Sequence, residues 1–471
     1  MRLDEYARHD AIGLMELLRR REVCARELQR CALDAAARLN PKLNFLSGCS
    51  DEQPSWLEDA PFSGLPFLVK EGNECAGHPA TMGSRLGANL KAKQDGELMR
   101  RVKRTGVAII GATTAPEFGL YPVTESALHG ATRNPWQVHH SPGGSSGGGA
   151  AAVAAGVVPV AQGSDGGGSI RGPAHCTGLF GLKPTRGRTP TSSPGLFGFT
   201  HLHVLSRTVR DSAAFLDLLQ GPHAGGRFWV PRPERSHLAE VEREPGRLRI
   251  GLCRASPLET PLAPECGAAM DQVARLLKTL GHDVEDASPQ VDWHGLFDSF
   301  LVAWTHALPR AIATIGAMSG RAAGPDTLEP MTLKFAERAR TLTIDELLQA
   351  EAVFQAARLA VDHFFENYDL WVTPAGVQQA PAIGTFDPSR GDEDLQTYAA
   401  RALRDYAAFT PLLNITGHPA ASVPVCHGSN GLPVGTQIVA PLGDEATIFR
   451  VSAQLDAVVR WSQRTPPHSV F

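Results

Sequence analysis

Apolar positions near the start of the chain repeat with the spacing of an amphipathic helix. Between residues 10 and 38 they recur at Leu14 and Leu18, and then at Leu28, Cys31 and Ala35. Residues three and four apart share one face of a helix. The pattern therefore predicts two helices that pack on the outside of a core.

Short apolar runs further along the chain predict buried strands. Residues 97–104 have helical spacing that ends near Gly106, and 107–110 form a run of four apolar residues. A helix followed at once by a buried strand is typical of an α/β fold. The same reasoning predicts strands at 62–71, 157–161, 247–253, 281–285 and 370–373, and helices at 262–280 and 344–367.

Two glycine-rich loops that carry serines lie between these elements. The first loop is GGSSGGG at 143–149, followed by an alanine-rich helix at 150–155, and the second is SDGGGS at 164–169. Consecutive glycines allow several main-chain N–H groups to approach one ligand atom. The run PFLVK at 66–70 adds a lysine. One lysine and two serine-bearing loops predict a serine-hydrolase site that needs no histidine.

Other glycine-rich sites fit these segments less well. A phosphate-binding loop places Lys-Ser or Lys-Thr after its last glycine, but Ala150 follows Gly149, and the dinucleotide pattern GxGxxG is absent. The G-x-S-x-G elbow of α/β-hydrolases is matched twice within 143–148. That elbow must follow a strand, however, and the preceding QVHHSP is polar and ends in a proline. Nucleotide binding and a Ser-Asp-His triad are therefore disfavoured.

The composition indicates a soluble globular protein. The 471 residues are 42% hydrophobic and 20% charged, and the net charge of −4 gives no electrostatic reason to expect nucleic acid or a membrane as a partner. Eight cysteines without a CxxC pair predict free thiols in a reducing cytoplasm and no metal site. The first residues lack a signal-peptide pattern, and the longest apolar run is too short to span a bilayer. We therefore expect a cytoplasmic location.

Several segments taken together resemble the amidase signature family. They are SPGGSSGG at 141–148, GSDGGGSIR at 163–171 and GLFGLKPT at 178–185, with TRNPW at 132–136, PEFG at 116–119, NITGHPA at 414–420 and GLPVG at 431–435. The similarity is dense over 60–210 and 370–456. This resemblance implies an α/β fold with a central, mixed, twisted β-sheet of about ten strands and helices on both faces, and it implies no cofactor.

The resemblance also implies one amidase domain over residues 1–471. Its expected parts are a helical N-terminal part at 1–60, a signature core at 60–210, a variable substrate-covering part at 240–370 and a C-terminal core at 370–456. No repeat or break in composition demands a second domain. We expect the substrate pocket to come from 190–240 and 290–340.

Site roles follow residue by residue from the family motifs. Ser169 matches the nucleophile, Lys70 matches the base, and Ser145 matches the bridging serine that family members hold behind a cis peptide bond. Main-chain N–H groups of Gly166, Gly167, Gly168 and Ser169 would form the oxyanion hole. Asp165 and Arg171 match residues that support the loop, and Ser146 is expected to be a hydrogen-bonding loop residue.

Elementary chemistry agrees with these roles. A serine hydroxyl is a weak nucleophile until a base takes its proton, and a lysine can do so only when it is neutral. Its ordinary pKa is about 10.4, and burial behind the apolar run 66–69 would lower it. Ser145 can then accept a proton from Ser169 while it gives its own proton to Lys70.

The substrate is less well defined by the sequence. The triple glycine at 166–168 resembles the branch of 6-aminohexanoate cyclic-dimer hydrolases and aryl-acylamidases, although Gly172 and Thr114 depart from the usual pattern. The prediction is a hydrolase of small-molecule amides, with ω-amino amides, nylon-type oligomers, aryl amides, esters and carbamates as candidates. We allow for a homodimer. Two alternatives stay open: a glutamine-using amidotransferase A-type subunit with a partner protein, and a non-catalytic binding protein of the same fold.

Overall fold

The computed structural model describes residues 1–49, 54–191 and 195–471. The α-helices are α1 Leu3–Arg8, α2 Ala11–Arg19, α3 Ala25–Leu43, α4 Glu97–Arg104, α5 Gly147–Ala154, α6 Arg171–Thr177, α7 Val209–Leu219, α8 His237–Val241, α9 Pro264–Thr279, α10 Trp293–Thr305, α11 Leu308–Ser319, α12 Pro330–Arg340, α13 Ile344–Phe364, α14 Leu395–Ala399, α15 Thr410–Thr416 and α16 Glu445–Val459. Short 3₁₀ or π turns lie at Arg85–Gly87, Glu117–Gly119, Ala400–Arg404 and Trp461–Gln463.

Thirteen strands of the described chain form two sheets. The strands are β1 Leu46–Cys49, β2 Pro66–Lys70, β3 Ala108–Thr113, β4 Glu125–Ser126, β5 Gly130–Ala131, β6 Val160–Asp165, β7 Phe180–Lys183, β8 His201–Ser206, β9 Arg249–Leu252, β10 Asp283–Asp286, β11 Leu370–Pro374, β12 Ala420–His427 and β13 Pro433–Val439. Strands β4 and β5 pair with each other, and the other 11 form one sheet in the order β1-β3-β2-β6-β8-β7-β12-β13-β11-β9-β10.

The large sheet is mixed, as predicted, and helices flank it. Parallel pairs join β3 to β2, β2 to β6, β11 to β9 and β9 to β10, and the remaining pairs are antiparallel. Every residue of β2 and β3 is buried, which is the expected pattern for strands covered on both faces. The uninterrupted apolar runs that predicted these strands therefore reflect burial.

The sheet brings the lysine and the second glycine loop to one edge. Strands β2 and β6 are parallel neighbours, with Leu68 opposite Ala161. Carboxyl ends of parallel strands lie at the same edge of a sheet, so Lys70 at the end of β2 lies beside Asp165 at the end of β6. The segment after Asp165 leads directly into α6.

The two helices predicted between residues 10 and 38 correspond to α2 and α3, and a further helix, α1, precedes them. Asp10 caps α2 by accepting a hydrogen bond from the N–H of Gly13. Two boundaries near the glycine loops were predicted wrongly. Helix α5 begins at Gly147, inside the predicted first loop. Strand β6 continues through Ser164 and Asp165 because it pairs with β8, so the second loop is shorter than predicted.

The predicted helices at 262–280 and 344–367 correspond to α9 and α13, and the predicted helix-strand unit corresponds to α4 and β3. Helix α5 packs closely on the sheet because its residues are small: a Cβ at Gly149 would lie 3.4 Å from the Ala161 methyl group. No helix among the described residues is long and apolar enough to cross a membrane.

Candidate active site

Lys70 ends the buried strand β2 and carries its amine into a dry environment. The residue is only 4% exposed. Burial lowers the pKa of Lys70 to about 7, against the opposing influence of the carboxylates of Asp165 and Glu71. Water stabilises an ammonium ion far better than a protein interior does, so desolvation favours the neutral amine. A substantial fraction of Lys70 is therefore uncharged near neutral pH.

Three serine hydroxyls surround the amine of Lys70. Its Nζ lies 2.7 Å from Ser145 Oγ, 2.9 Å from Ser164 Oγ and 3.1 Å from Ser146 Oγ. Ser146 Oγ also donates to the carbonyl of Ser164 at 3.1 Å and accepts from its N–H at 3.2 Å. Because the Ser146 proton is engaged there, Ser146 acts as an acceptor toward Lys70. This agrees with its prediction as a loop residue.

The first loop brings Ser145 close to Lys70 through an unusual backbone path. The peptide bond between Gly144 and Ser145 is cis, as predicted. A Cβ at Gly144 would lie 2.5 Å from the carbonyl oxygen of Val123, so a larger residue cannot occupy this position. Thr124 Oγ1 donates to the carbonyl of Gly143 at 2.8 Å and accepts from the N–H of Gly147 at 3.1 Å. Ser145 itself is buried.

Ser169 lies on the second loop and lines the same cavity as Lys70 and Ser145. We predicted that Ser145 would bond both of the other groups. The contact with Lys70 is present, but Ser169 Oγ makes no hydrogen bond to a protein group in the described chain. Its main-chain carbonyl accepts from the N–H of Ser146 at 3.2 Å, which ties the two loops together. The Ser169 hydroxyl is therefore free to face the cavity.

The glycines before Ser169 have different roles. Gly168 has a φ of +134°, and its Cβ would lie 2.3 Å from Thr410 Oγ1, so only glycine fits. The N–H of Gly168 donates to the carboxylate of Asp165 at 2.8 Å and is therefore engaged. No protein acceptor in the described residues faces the N–H groups of Gly166, Gly167 and Ser169. Of the predicted oxyanion donors, these three remain available.

A buried ion pair supports this loop. The Nη2 and Nε atoms of Arg171 lie 2.9 Å and 3.0 Å from the two carboxylate oxygens of Asp165, and neither side chain is exposed. Burial by itself raises a carboxyl pKa, but the adjacent guanidinium outweighs that effect and holds the pKa of Asp165 well below its usual range. Asp165 therefore remains ionised and accepts the main-chain N–H groups of Gly168 and Ile170.

Two supporting residues were missed from the sequence. Asn414 donates to the carbonyl and the carboxylate of Asp165, each at 2.9 Å, and accepts from Arg171. The motif NITGHPA was the available signal, but it carried no assigned role. Ser164 was missed as a ligand of the Lys70 amine because the sequence placed it in a loop. Its strand position in β6, next to β2, aims its hydroxyl at Lys70.

The site opens into a cavity of about 570 Å³ with a largely apolar wall. The predicted pocket segments contribute Thr191 and residues within 195–202 and 300–311, and residues 192–194 lie outside the described chain. The cavity is also lined by Met82 and by the segments 115–122 and 402–410, which were not predicted. The large side chains of the wall are Met82, Phe118, Tyr121, Leu196, Phe197, Phe199, Phe300, Trp304, Leu308, Leu403 and Tyr406.

Comparison with known proteins defines the class of this site. The family model described as Amidase matches residues 27–449, so the chain belongs to the amidase family. It is an amidase, a hydrolase that acts on the carbon–nitrogen bond of small-molecule amides. This agrees with the family resemblance found in the sequence.

Individual relatives are similar along almost the whole chain. A 6-aminohexanoate-cyclic-dimer hydrolase from Pseudomonas sp. (strain NK87) is 34% identical over 480 residues, covering 97% of this chain and 96% of the relative. A putative amidase from Mycobacterium tuberculosis is 37% identical over 416 residues, covering 87% and 85%.

Solved structures agree with this relationship. A 6-aminohexanoate cyclic dimer hydrolase complexed with substrate superposes with a TM-score of 0.92 at 33% identity, covering 98% of this chain and 99% of the other. A bacterial aryl acylamidase of the amidase signature family has the same fold, with a TM-score of 0.87 at 23% identity and 97% coverage of both chains.

Proposed function

We propose that this amidase cleaves its substrate through an acyl-enzyme on Ser169, with Ser145 and Lys70 as a proton relay. The observation that carries the proposal is the 2.7 Å contact between Lys70 Nζ and Ser145 Oγ inside a buried environment. A neutral amine in that position has a lone pair that accepts the Ser145 proton. Ser145 can then take the proton of Ser169.

In the acylation step every proton that leaves one group is accepted by the next. Ser169 Oγ bonds to the substrate carbonyl carbon, its proton passes to Ser145, and the Ser145 proton passes to Lys70. The carbonyl oxygen becomes an oxyanion, which the N–H groups of Gly166, Gly167 and Ser169 stabilise. Removal of one such donor costs about 3–4 kcal/mol in comparable enzymes.

Collapse of the intermediate reverses the proton relay. The carbon–nitrogen bond breaks, and the leaving amine receives a proton from Ser145 while Lys70 returns one to Ser145. Water then attacks the Ser169 ester by the same route and releases the carboxylic acid. Asp165 and Arg171 hold the loop, and the protons move through the lysine and the serines alone.

The cavity favours substrates that are uncharged around the amide. Aromatic and aliphatic side chains form most of its wall, and burying an unpaired charge against them is costly. One relative named above is a 6-aminohexanoate-cyclic-dimer hydrolase, and a cyclic amide has no charged ends. We propose cyclic ω-amino amides, uncharged linear amides and aryl amides as substrates, with esters and carbamates accepted by the same chemistry. We also propose that the chain acts as one catalytic domain.

A substrate panel tests this function. Purified enzyme is assayed with 6-aminohexanoate cyclic dimer, an uncharged anilide, a carbamate, a charged linear dimer of 6-aminohexanoate and glutamine, each beside Ser169→Ala from the same preparation. We expect turnover of the uncharged amides and none with Ser169→Ala. Turnover of glutamine alone would favour the amidotransferase alternative. No turnover of any amide at high enzyme concentration would favour a binding protein.

A further inference from the structure

A second cavity of about 1250 Å³ lies beside the active site. Its apolar surface comes from the segment 227–234, the start of α13 and the turn before α16. Phe228, Trp229, Leu348 and Leu442 represent these parts, and Leu196 and Phe197 come from a fourth segment. Leu196 and Phe197 also line the active-site cavity, so the two cavities adjoin at these residues. The proposed catalytic residues do not line the second cavity.

The second cavity leaves large apolar side chains exposed to solvent. Trp229 is 68% exposed, Leu348 is 64% exposed and Ile344 is 76% exposed. Single exposed apolar residues are common on proteins, but several on one concave surface mark a binding site. Phe228, which also lines the second cavity, packs closely on Gly198, since a Cβ at Gly198 would lie 2.5 Å from the Phe228 ring.

Positive charge accompanies this apolar surface. Arg186 and Arg227 lie on Phe228, with their guanidinium carbons 5.2 Å and 5.9 Å from its ring centroid. Arg186 bonds the carbonyls of Asn414 and Ile415, and its Nε is buried without an acceptor. Neither Arg186 nor Arg227 pairs with a carboxylate among the described residues.

The other charges at the second cavity are largely compensated. Arg188 pairs with Glu445 at 2.8 Å, and Arg358 pairs with Glu351 at 2.9 Å. Asp444 caps α16 by accepting a hydrogen bond from the N–H of Thr447. Glu234 and Arg232 both lie on the lining and offset each other in charge. The uncompensated charge is therefore positive and sits beside Phe228.

We propose that the second cavity binds a monomeric amphiphilic carboxylate, a molecule with an alkyl or aryl body and one anionic head group. The body would lie against Trp229 and Leu348, and the carboxylate would lie at Arg186 and Arg227, where a guanidinium can donate two parallel hydrogen bonds. A concave surface fits a single molecule better than it fits a membrane. Binding at the second cavity does not depend on the proposed catalytic function.

Calorimetric titration with dodecanoate below its micelle concentration tests the proposal. We expect saturable binding to the wild type and at least tenfold weaker binding to Arg227→Gln, to Trp229→Ala and to Leu348→Glu. Dodecanol, which has the same chain without a charge, should bind at least tenfold more weakly than dodecanoate. Arg275→Gln, an exposed arginine on α9 outside the second cavity, is the matched control and should bind as the wild type does.

Two further measurements show which cavity binds dodecanoate and whether the ligand is a free molecule or a lipid in a membrane. Trp304 lines the active-site cavity and not the second cavity, so Trp304→Ala should retain dodecanoate binding. The proposal is wrong if dodecanoate does not bind, if the second-cavity variants bind normally, or if Trp304→Ala abolishes binding. It is equally wrong if dodecanol binds as tightly as dodecanoate, or if phosphatidylglycerol vesicles bind while dodecanoate does not. Circular dichroism confirms that each variant is folded, and amide turnover confirms it for the variants that lie outside the active-site cavity.

Discussion

The amine of Lys70 and the hydroxyl of Ser145 lie 2.7 Å apart, and both residues are buried. Two further hydroxyls fix the amine from other directions, and one of them, Ser146, has its proton committed to the Ser164 carbonyl. Of the three hydroxyls, that of Ser145 lies closest to the amine.

The first prediction concerns pH. The base must be neutral, and burial lowers the pKa of Lys70 to about 7. Activity toward an amide should therefore rise with pH through an apparent pKa near 7 and fall tenfold per pH unit below it. Lys70→Ala should lose about 10³-fold in kcat/KM for an anilide and much less for an activated ester, since an ester leaving group needs less protonation. An unchanged anilide rate in Lys70→Ala would show that the lysine is structural.

The second prediction concerns Ser164, which accepts from Lys70 Nζ at 2.9 Å. An acceptor stabilises the ammonium form more than the neutral amine, so its removal lowers the pKa of the lysine. Ser164→Ala should reduce kcat about tenfold, as expected for a misplaced base, and shift the acid limb of the pH–rate profile to lower pH. Ser164→Thr keeps the hydroxyl and should restore both. An identical pH profile in Ser164→Ala would contradict this positioning role.

The third prediction concerns the buried Asp165–Arg171 pair. Asp165→Asn leaves the Arg171 charge without its partner, which should lower the free energy of unfolding by about 3–5 kcal/mol. It also weakens the hydrogen bonds that the side chain of residue 165 accepts from the main-chain N–H groups of Gly168 and Ile170. Chemical denaturation measures the first effect, and kcat of the folded enzyme measures the second.

Glu445→Gln is the matched control for Asp165→Asn. Glu445 forms a comparable buried pair with Arg188 that does not line the active-site cavity. It should lower stability by a similar amount and leave kcat of the folded enzyme near that of the wild type. Equal losses of kcat in the two variants would mean that Asp165 acts only on stability.

Most of the candidate site could be predicted from the sequence because its parts have distinctive local patterns. Ser145 and Ser169 lie in glycine-rich segments of distinctive composition, and Lys70 ends an uninterrupted apolar run. The cis bond and the Lys70–Ser145 contact followed from the family motifs and were confirmed. The large mixed sheet was confirmed as well.

Features that depend on long-range pairing could not be predicted. Ser164 lies on a strand because β6 pairs with β8, a partner about 40 residues away that no local pattern identifies. The role of Asn414 depends on α15 lying beside Asp165, a separation of 249 residues. The wall segment 402–410 was missed for the same reason. The hydrogen bond from the Gly168 N–H to the Asp165 carboxylate could not be predicted either, because it depends on where the Asp165 side chain lies.

The fourth prediction concerns Gly172, which lines the active-site cavity. A Cβ there would meet only the carbonyl oxygen of Gly144, at 3.7 Å, so alanine fits without strain and larger side chains extend into the cavity. Gly172→Ala should be folded and active. Gly172→Leu should reduce kcat/KM at least tenfold more for a bulky anilide than for a small aliphatic amide, since it occupies substrate volume. Equal losses for both substrates would contradict a role in size selection.

Identification of the residue that carries the covalent intermediate tests the central claim most directly. The enzyme is treated with a serine-directed fluorophosphonate, digested and mapped by mass spectrometry, with Ser169→Ala and Ser145→Ala treated in parallel. The account predicts one adduct on Ser169, no adduct in Ser169→Ala, and slower labelling of Ser169 in Ser145→Ala because its proton acceptor is gone. An adduct on Ser145 in a Ser169→Ala protein that still hydrolyses amides would contradict the account.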